Sequence, residues 1–294
     1  MKIGFIGIGN MGSLMAANLV AKGYSVTAYD LMPKALEAAA SAGAAIAPSP
    51  AGAASGAEVV ITMLPQSSDT ENALFGPEGA AGALRPGAVV IDMGTGSPTL
   101  IRAMAARLKE TGIDLLDAPV SGGVQKAKTG GLSIMASGDS AAYARVLPVL
   151  SALGGEVFYV GGCGCGQTIK LINNMLTGIN LAGVCEGMVL GMKAGIDPRL
   201  LLEIINSSSG ESYSSRVKVP GFILKRDFSG GFKARLQHKD MNLATSLARE
   251  LRVPTAMANL AREYYLGAMA RDRGEEDASV IITLLEEITG AEVK

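Results

Sequence analysis

The chain has 294 residues, of which 48% are hydrophobic and 18% are charged, and its formal net charge is −1. This length predicts two domains with large apolar cores, and the near-neutral charge gives no electrostatic reason to expect nucleic acid or an anionic membrane surface as a partner. Three cysteines and one histidine do not make a usual zinc site, so no metal centre is predicted.

An apolar strand at the start of the chain runs into a glycine-rich turn that opens a helix. Gly7 permits the tight turn, Gly9 lets the backbone approach a pyrophosphate, and Gly12 lets the helix pack on the strand. Phosphates can then lie at the helix N-terminus, where free N–H groups and the helix dipole favour an anion. The pattern predicts a dinucleotide site whose turn comprises Gly7, Gly9, Asn10, Met11 and Gly12.

Asp30 follows the second apolar run, Ser25–Tyr29, and bears on the choice of cofactor. A carboxylate at this place can accept hydrogen bonds from both ribose hydroxyls of NAD, and it would repel the 2′-phosphate of NADP. Leu31 and Met32 come next, and no Arg or Lys appears before Lys34. The sequence therefore favours NAD over NADP.

The first half of the chain alternates strand and helix patterns, which is typical of a parallel sheet with helices on both faces. The expected strands are Lys2–Gly7, Ser25–Tyr29, Val59–Leu64, Ala88–Met93, Asp114–Asp117, Leu132–Ala136 and Val157–Val160. The expected later helices are Gln167–Ala194, Pro198–Asn206, Ser214–Lys225, Phe232–Leu251, Pro254–Arg271 and Asp277–Ile288. We therefore expect an α/β, doubly wound Rossmann-type domain over residues 1–164. An all-α domain for substrate and oligomerisation is expected over residues 165–294, joined to the first by the long helix.

The long helix is not expected to cross a membrane. Its charge-free stretch, Leu171–Cys185, is shorter than the roughly 20 apolar residues that a bilayer requires. No basic leader with an apolar core precedes the first strand. The expectation is a cytoplasmic protein without membrane attachment.

One strand end and one helical turn carry candidate substrate and catalytic groups. Ser121-Gly122-Gly123 follows the strand that ends at Asp117, and a hydroxyl beside close backbone N–H groups suits a carboxylate. Lys170 and Asn174 share a face of the long helix near its start. A partly desolvated lysine near a cationic nicotinamide should have a lowered pKa and could exchange a proton, while Asn174 orients the substrate oxygen or the ammonium. The alternatives are a plain glycine turn and a lysine that reaches from the helix into solvent.

Four motifs in this order resemble the β-hydroxyacid dehydrogenase family, the group of 3-hydroxyisobutyrate dehydrogenase, tartronate semialdehyde reductase and 2-(hydroxymethyl)glutarate dehydrogenase. They are Gly4-Phe5-Ile6-Gly7-Ile8-Gly9-Asn10-Met11-Gly12, Asp117-Ala118-Pro119-Val120-Ser121-Gly122-Gly123, Gly166-Gln167-Thr168-Ile169-Lys170-Leu171-Ile172-Asn173-Asn174 and Lys239-Asp240-Met241-Asn242-Leu243-Ala244. The resemblance covers essentially the whole chain. It implies an NAD(P)-dependent enzyme that interconverts a short β-hydroxyacid and its 3-oxoacid, a semialdehyde, by hydride transfer with a lysine as acid and base. It also implies a homodimer or homotetramer with the long helix near the interface.

The resemblance also implies roles for individual residues. Lys170 matches the catalytic lysine and Asn174 its partner. The substrate residues that it implies are Ser121, Gly122 and Gly123 at the carboxylate, and Phe232 and Asp240 at the pocket wall. The cofactor residues that it implies, beyond the glycine turn and Asp30, are Met63, Leu64, Pro65, Thr95 and Lys239.

This chain departs from the family pattern at two positions. Gly94 stands where the family usually has Ser, and the missing hydroxyl could loosen a cofactor or substrate contact. Lys126 stands where a Gly is usual, and it either points to solvent or adds positive charge near the substrate mouth. The sequence does not identify the β-hydroxyacid, although Arg216 or Lys218 are candidates to hold a distal acidic group.

Three other functions compete with the dehydrogenase. A phosphogluconate-type decarboxylating dehydrogenase would need a basic phosphate clamp, which the sequence does not place. An imine reductase is disfavoured because that related group generally replaces the lysine found here as Lys170. A non-catalytic NAD-binding module, the alternative from another class, tends to lose the lysine and to gain basic segments, and neither is seen here.

Overall fold

The computed structural model describes all residues of the chain, Met1–Lys294. The chain divides into two compact units, Met1–Lys170 and Leu171–Lys294. The units therefore divide inside the helix Cys165–Lys193, whereas the boundary predicted from the sequence lies directly before that helix.

The N-terminal unit is built on a parallel sheet of six strands in the order β3-β2-β1-β4-β5-β6, as expected for a doubly wound fold. The strands are β1 (Lys2–Ile6), β2 (Ser25–Tyr29), β3 (Ala45–Ile46), β4 (Val59–Thr62), β5 (Val89–Asp92) and β6 (Asp114–Asp117). The helices are α1 (Gly12–Ala21), α2 (Pro33–Ser41), α3 (Pro50–Ala54), α4 (Ser67–Phe75) and α5 (Pro98–Lys109), with a 3₁₀ turn at Ala80–Ala83. Alternate residues of β4 enter different apolar clusters, Val59 and Ile61 in one and Val60 in the other. The sheet thus has a core on each face, because successive strand residues point to opposite sides.

The remaining strands of this unit form a second sheet, so the prediction that they extend the parallel sheet is wrong. The strands are β7 (Val120–Ser121), β8 (Leu132–Ala136) and β9 (Gly154–Tyr159), in that order, with β7 antiparallel and β9 parallel to β8. Strand β7 was missed because it has two residues and is followed directly by Gly122, so it shows no alternating pattern. Helices α6 (Gly123–Lys128) and α7 (Ser140–Leu153) connect these strands.

The C-terminal unit is helical, as predicted. The long helix α8 (Cys165–Lys193) begins in the N-terminal unit, and the helices after it are α9 (Pro198–Asn206), α10 (Ala234–Glu250), α11 (Ala256–Met269) and α12 (Ile282–Thr289). Ser214–Ile223 is a π-helix rather than an α-helix, and a 3₁₀ turn at Ala278–Ile281 precedes α12. A π-helix of ten residues is rare, because most π-helical segments are single turns inside α-helices.

Helix α8 is long and apolar enough to cross a membrane when length and composition alone are considered, with a mean hydropathy of 1.4. The core helix of a soluble protein meets the same criteria. The expected absence of membrane attachment stays a prediction.

Candidate active site

The carboxyl ends of five parallel strands lie side by side at one edge of the main sheet. Tyr29 pairs with Ile6, Ile6 with Thr62, Thr62 with Asp92, and Asp92 with Asp117. Ligands of open α/β sheets bind outside this edge. The predicted cofactor residues that follow these strand ends are Gly7, Gly9, Asn10, Met11, Gly12, Asp30, Met63, Leu64, Pro65 and Thr95.

The glycine turn has the geometry that a dinucleotide requires. Gly7 has a φ of 92°, in the region that favours glycine. A Cβ on Gly12 would lie 2.0 Å from the carbonyl oxygen of Gly7, so only glycine lets α1 pack this closely on the turn. A Cβ on Gly9 would meet no protein atom within 4 Å. Protein packing therefore does not explain this glycine, and its bare backbone fits the close approach of a pyrophosphate.

Asp30 fixes the glycine turn from the end of β2. Its Oδ2 accepts a hydrogen bond from the backbone N–H of Ile8 at 2.7 Å, and its Oδ1 accepts one from Met32 at 2.8 Å. Each carboxylate oxygen has a further lone pair, so the group can still accept from two ribose hydroxyls. Leu31 beside it is 84% exposed.

Asp92 is a buried carboxyl at the end of β5 that sequence reasoning did not assign to the site. Its Oδ1 accepts hydrogen bonds from the hydroxyls of Thr62 at 2.7 Å and Thr70 at 3.3 Å. The pKa of Asp92 is raised from 3.8 to about 6, mainly because burial disfavours the charged form. The charge of Asp117 also raises this pKa, whereas the hydrogen bonds from the two threonine hydroxyls lower it.

The raised pKa of Asp92 predicts a pH-dependent stability. Between about pH 4 and pH 6 the folded protein binds a proton that the unfolded chain has released, so the free energy of unfolding falls as the pH rises. We expect Asp92→Asn to remove this pH dependence. For a pKa shift of roughly two units, the total fall in unfolding free energy across the range is as much as about 3 kcal/mol. Urea denaturation of both proteins across this range measures the difference. Asp139→Asn, at an exposed carboxyl whose pKa is lowered, is the control, and an equal change of slope in that variant would contradict the assignment to Asp92.

Two side chains attach the first turn of α8 to the ends of β5 and β6. The Asp117 carboxylate accepts the backbone N–H groups of Gly164 at 2.7 Å and Gln167 at 2.8 Å, which satisfies donors that a helix start leaves unpaired. The Gln167 side chain donates to the carbonyl oxygen of Gly94 and accepts the N–H of Gly96, both at 2.8 Å. Gln167 was not singled out from the sequence, although a polar residue one turn before Lys170 was an available signal.

Lys170 and Asn174 lie one turn apart on α8, and both are buried, with 8% and 7% of their surfaces exposed. The alternative of a lysine that reaches from the helix into solvent is therefore not what the structure shows. Asn174 donates through Nδ2 to Asp240 Oδ2 at 2.6 Å, and its Oδ1 accepts from Asn173 at 3.1 Å. The other oxygen of Asp240 lies 3.2 Å from Nζ of Lys239. The structure thus brings Asn174, Asp240 and Lys239 together, and it fixes the orientation of the Asn174 amide.

The predicted carboxylate loop has the conformation that its two glycines allow. Gly122 has a φ of 122° and Gly123 a φ of 63°. Lys126 is exposed, and its aliphatic stem lies against Gly122, where an added Cβ would be 2.5 Å from Cδ. The Lys126 side chain is thus exposed to solvent and also lies beside the loop.

The departure at Gly94 has a packing reason. A Cβ at this position would lie 2.6 Å from the carbonyl oxygen of Leu64, so a serine would require the loop after β4 to shift. The loop after β5 therefore packs closely on the loop after β4.

Phe232 is half-buried, and its backbone N–H donates to Asp277 Oδ2 at 2.9 Å. The two cations proposed for a distal acidic group both have protein partners. Lys218 is buried and lies 2.5 Å from the same oxygen of Asp277, and Arg216 is bonded to Glu211 and to the carbonyl oxygen of Asn206. Lys218 and Asp277 thus form a buried ion pair.

Known proteins resemble this chain over nearly its whole length. Residues 2–161 match the family model described as the NAD binding domain of 6-phosphogluconate dehydrogenase, and residues 164–285 match the one described as NAD-binding of NADP-dependent 3-hydroxyisobutyrate dehydrogenase. The chain is 40% identical to 2-(hydroxymethyl)glutarate dehydrogenase of Eubacterium barkeri, over 100% of this chain and 97% of the relative. It is 37% identical to NAD-dependent L-serine dehydrogenase of Pseudomonas aeruginosa, over 98% and 99%.

A solved structure of 3-hydroxyisobutyrate dehydrogenase from Mycobacterium tuberculosis with L-serine has the same fold. It superposes with a TM-score of 0.89 and 33% identity, and the match covers 97% of this chain and 98% of that one. The family models together span nearly the whole chain, and the identities exceed what a shared fold alone would require. The chain is an NAD(P)-dependent hydroxyacid dehydrogenase and belongs to the β-hydroxyacid dehydrogenase family.

Proposed function

We propose that the protein uses NAD to oxidise a short β-hydroxyacid reversibly to its 3-oxoacid, with Lys170 as the acid and base. The observation that carries this proposal is the buried pair of Lys170 and Asn174 on α8, in which Asp240 fixes the asparagine. Burying a lysine amine costs free energy, because burial disfavours its charged form. The same property suits a group that must lose and regain a proton near neutral pH.

In this proposal Ser121, Gly122 and Gly123 hold the substrate carboxylate through the hydroxyl and backbone N–H groups. When bound, NAD supplies the acceptor for the hydride that leaves C3. Lys170 takes the proton of the C3 hydroxyl as the carbon–oxygen double bond forms, so one hydride and one proton leave the alcohol together. In the reverse direction Lys170 returns the proton to the oxygen. Phe232 and Asp240 belong to the pocket wall, and Lys239 contacts the cofactor.

The phosphogluconate-type reaction is the second candidate, because one family model carries that description. It requires a free basic group for the phosphate. Lys218 and Arg216 are both committed to carboxylates of this chain, which disfavours them for that purpose.

A substrate panel tests the proposed function. The panel contains 2-(hydroxymethyl)glutarate, 3-hydroxyisobutyrate, L-serine, L-threonate and 6-phosphogluconate, each with NAD and NADP. For the reverse direction it contains tartronate semialdehyde with NADH and NADPH. Absorbance of the reduced nicotinamide follows turnover. We expect at least one β-hydroxyacid to be oxidised without loss of carbon dioxide. Turnover of 6-phosphogluconate alone would favour the decarboxylating reaction, and NADH binding without any turnover would favour a non-catalytic module.

The same panel measures the cofactor preference. Asp30 would bind the ribose hydroxyls of NAD and repel the phosphate of NADP, so we expect kcat/KM to favour NAD by at least about tenfold, or 1.4 kcal/mol. Asp30→Ala with Leu31→Arg should erode or invert the preference. A preference of the unmodified enzyme for NADP would show that the role assigned to Asp30 is wrong.

A matched variant separates charge from loop structure in this test. Asp30→Ala also removes the acceptor for the N–H groups of Ile8 and Met32. Leu31→Arg alone leaves both bonds in place and adds a positive charge at an exposed position. It should improve NADP binding while the Kd for NAD changes little.

The cytoplasmic location and the homodimer or homotetramer remain part of this proposal.

A further inference from the structure

Gln167 makes a two-point contact with the backbone on either side of Thr95. Its Nε2 donates to the carbonyl oxygen of Gly94 and its Oε1 accepts the N–H of Gly96, each at 2.8 Å, and the side chain has no exposed surface. The same Nε2 lies 3.4 Å from Asp92 Oδ2. The amide therefore matches the donor and acceptor pattern of the Gly94–Gly96 segment, as a neighbouring strand would.

Gln167 is itself anchored at the start of α8, because its backbone N–H donates to Asp117 Oδ2 at 2.8 Å. Lys170 follows three positions later, on the next turn of the same helix. All these residues lie in the N-terminal unit, Met1–Lys170. The side chain of one residue thus connects the loop that carries Thr95 to the helical turn that carries the lysine.

We propose that Gln167 is a positioning residue that sets the place of Lys170 relative to the nicotinamide end of the cofactor. This inference rests on the proposed function, since it assigns Thr95 to the cofactor and Lys170 to the proton. Hydride and proton must leave the same C–OH group, so both acceptors must be held in one geometry. A misplacement of about 1 Å can cost as much as 10²-fold in rate.

A space-filling role is the competing explanation for a buried glutamine. It predicts that an apolar side chain of similar length would serve as well, because the volume would be kept. The positioning role instead depends on one donor and one acceptor. Glutamate keeps the acceptor at all pH values but regains the donor only when it is protonated, so the two explanations differ in their pH dependence.

The test compares Gln167→Met and Gln167→Glu with the unmodified enzyme. We expect Gln167→Met to lower kcat by about 10–100-fold, with a much smaller change in KM for the acid and with hydride transfer becoming rate-limiting in an isotope-effect measurement. For Gln167→Glu, the ratio of its turnover to that of the unmodified enzyme should fall as the pH rises. The reason is that the ionised carboxylate cannot donate to Gly94 and would lie beside Asp92.

Hydrogen exchange of the Gly96 amide provides a measurement that needs no turnover. Gln167→Met should raise its exchange rate by about tenfold or more, whereas Gln167→Glu should keep it protected, because the N–H of Gly96 still has its acceptor. Tyr159→Phe is the control, since it removes one side-chain hydrogen bond to a backbone carbonyl oxygen, that of Gly138, and should change neither kcat nor Gly96 exchange.

The possible results distinguish a failure of the positioning role from a failure of the proposed function. If Gln167→Met keeps kcat within about twofold, or if Gln167→Glu has an unchanged pH profile, Gln167 is not a positioning residue. If Gly96 exchange is unaffected in Gln167→Met, the contact itself does not hold the segment and the inference is wrong. If the unmodified enzyme oxidises nothing in the panel, the proposed function fails, while Gly96 exchange still decides the contact.

Discussion

Lys170→Ala is expected to lose at least about 10²–10⁴-fold in turnover, the usual contribution of a general acid and base. The variant should still fold and bind NADH, because Asp117 and Gln167 hold the start of the helix on which the lysine stands. Stopped-flow measurement of hydride transfer tests this most directly. If Lys170→Ala kept nearly the turnover of the unmodified enzyme while hydride transfer was rate-limiting, another group would have to exchange the proton. Lys239, which lies beside Asp240, is the next candidate.

Two further substitutions show whether the lost property is proton exchange. Lys170→Arg should fail as badly as alanine, because a guanidinium does not deprotonate near neutral pH. Asn174→Ala should lower the rate without abolishing it, since it removes the orienting amide and leaves the amine. In the unmodified enzyme the oxidation rate should rise with pH as Lys170 loses its proton, and a flat profile in the chemical step would count against this role.

Lys218→Met is expected to be the most destabilising single substitution proposed here. It removes the ammonium that lies 2.5 Å from Asp277 Oδ2 and leaves a carboxylate with no exposed surface without its cation. Breaking one partner of a buried ion pair typically costs about 3–5 kcal/mol. The N–H groups of Phe232 and Ser279 and the Ser279 hydroxyl still donate to Asp277, so the lower part of this range is expected. Urea denaturation gives the difference in unfolding free energy.

The π-helix that holds Lys218 also offers a matched control. Arg216 pairs with Glu211 on the surface, where an ion pair contributes about 0–1 kcal/mol. Arg216→Ala should therefore change stability little, and Lys218→Met with Asp277→Asn should recover part of the loss because it removes the unpaired charge. Equal effects of Lys218→Met and Arg216→Ala would mean that burial does not strengthen the inner pair.

Local patterns predicted the parts of the fold that are built from sequence neighbours. Strands β4 and β5 are recognisable as apolar runs because both faces of a central parallel strand are covered. The glycine turn is recognisable because each of its glycines is required by a different local contact. The second sheet was not predictable in this way. Its first strand has two residues, and its last begins at Gly154, where close packing on Ile134 excludes a side chain that would have shown strand preference.

The candidate site likewise contains residues that local patterns predicted and residues that they did not. Recognisable motifs contain Lys170, Asn174 and Ser121. The contacts of Asp92 and Gln167, and the pairing of Lys218, instead join residues far apart in the chain, so no local pattern predicts them. A lysine two positions from an arginine gives no sign that one is buried and the other exposed. Lys218 is buried against its partner Asp277, which lies 59 positions away in the chain, and neither residue type nor spacing predicts that pairing.

The double use of Asp30 limits the order in which this protein could change its cofactor over evolution. A carboxylate has about four acceptor positions, and two of them serve the N–H groups of Ile8 and Met32. A lineage that lost the acid first would disorder the turn before it gained any affinity for NADP, and would pass through a form that binds neither cofactor well. The accessible path gains a cation at the exposed Leu31 first, so descendants that carry both the acid and a neighbouring arginine are the expected intermediates.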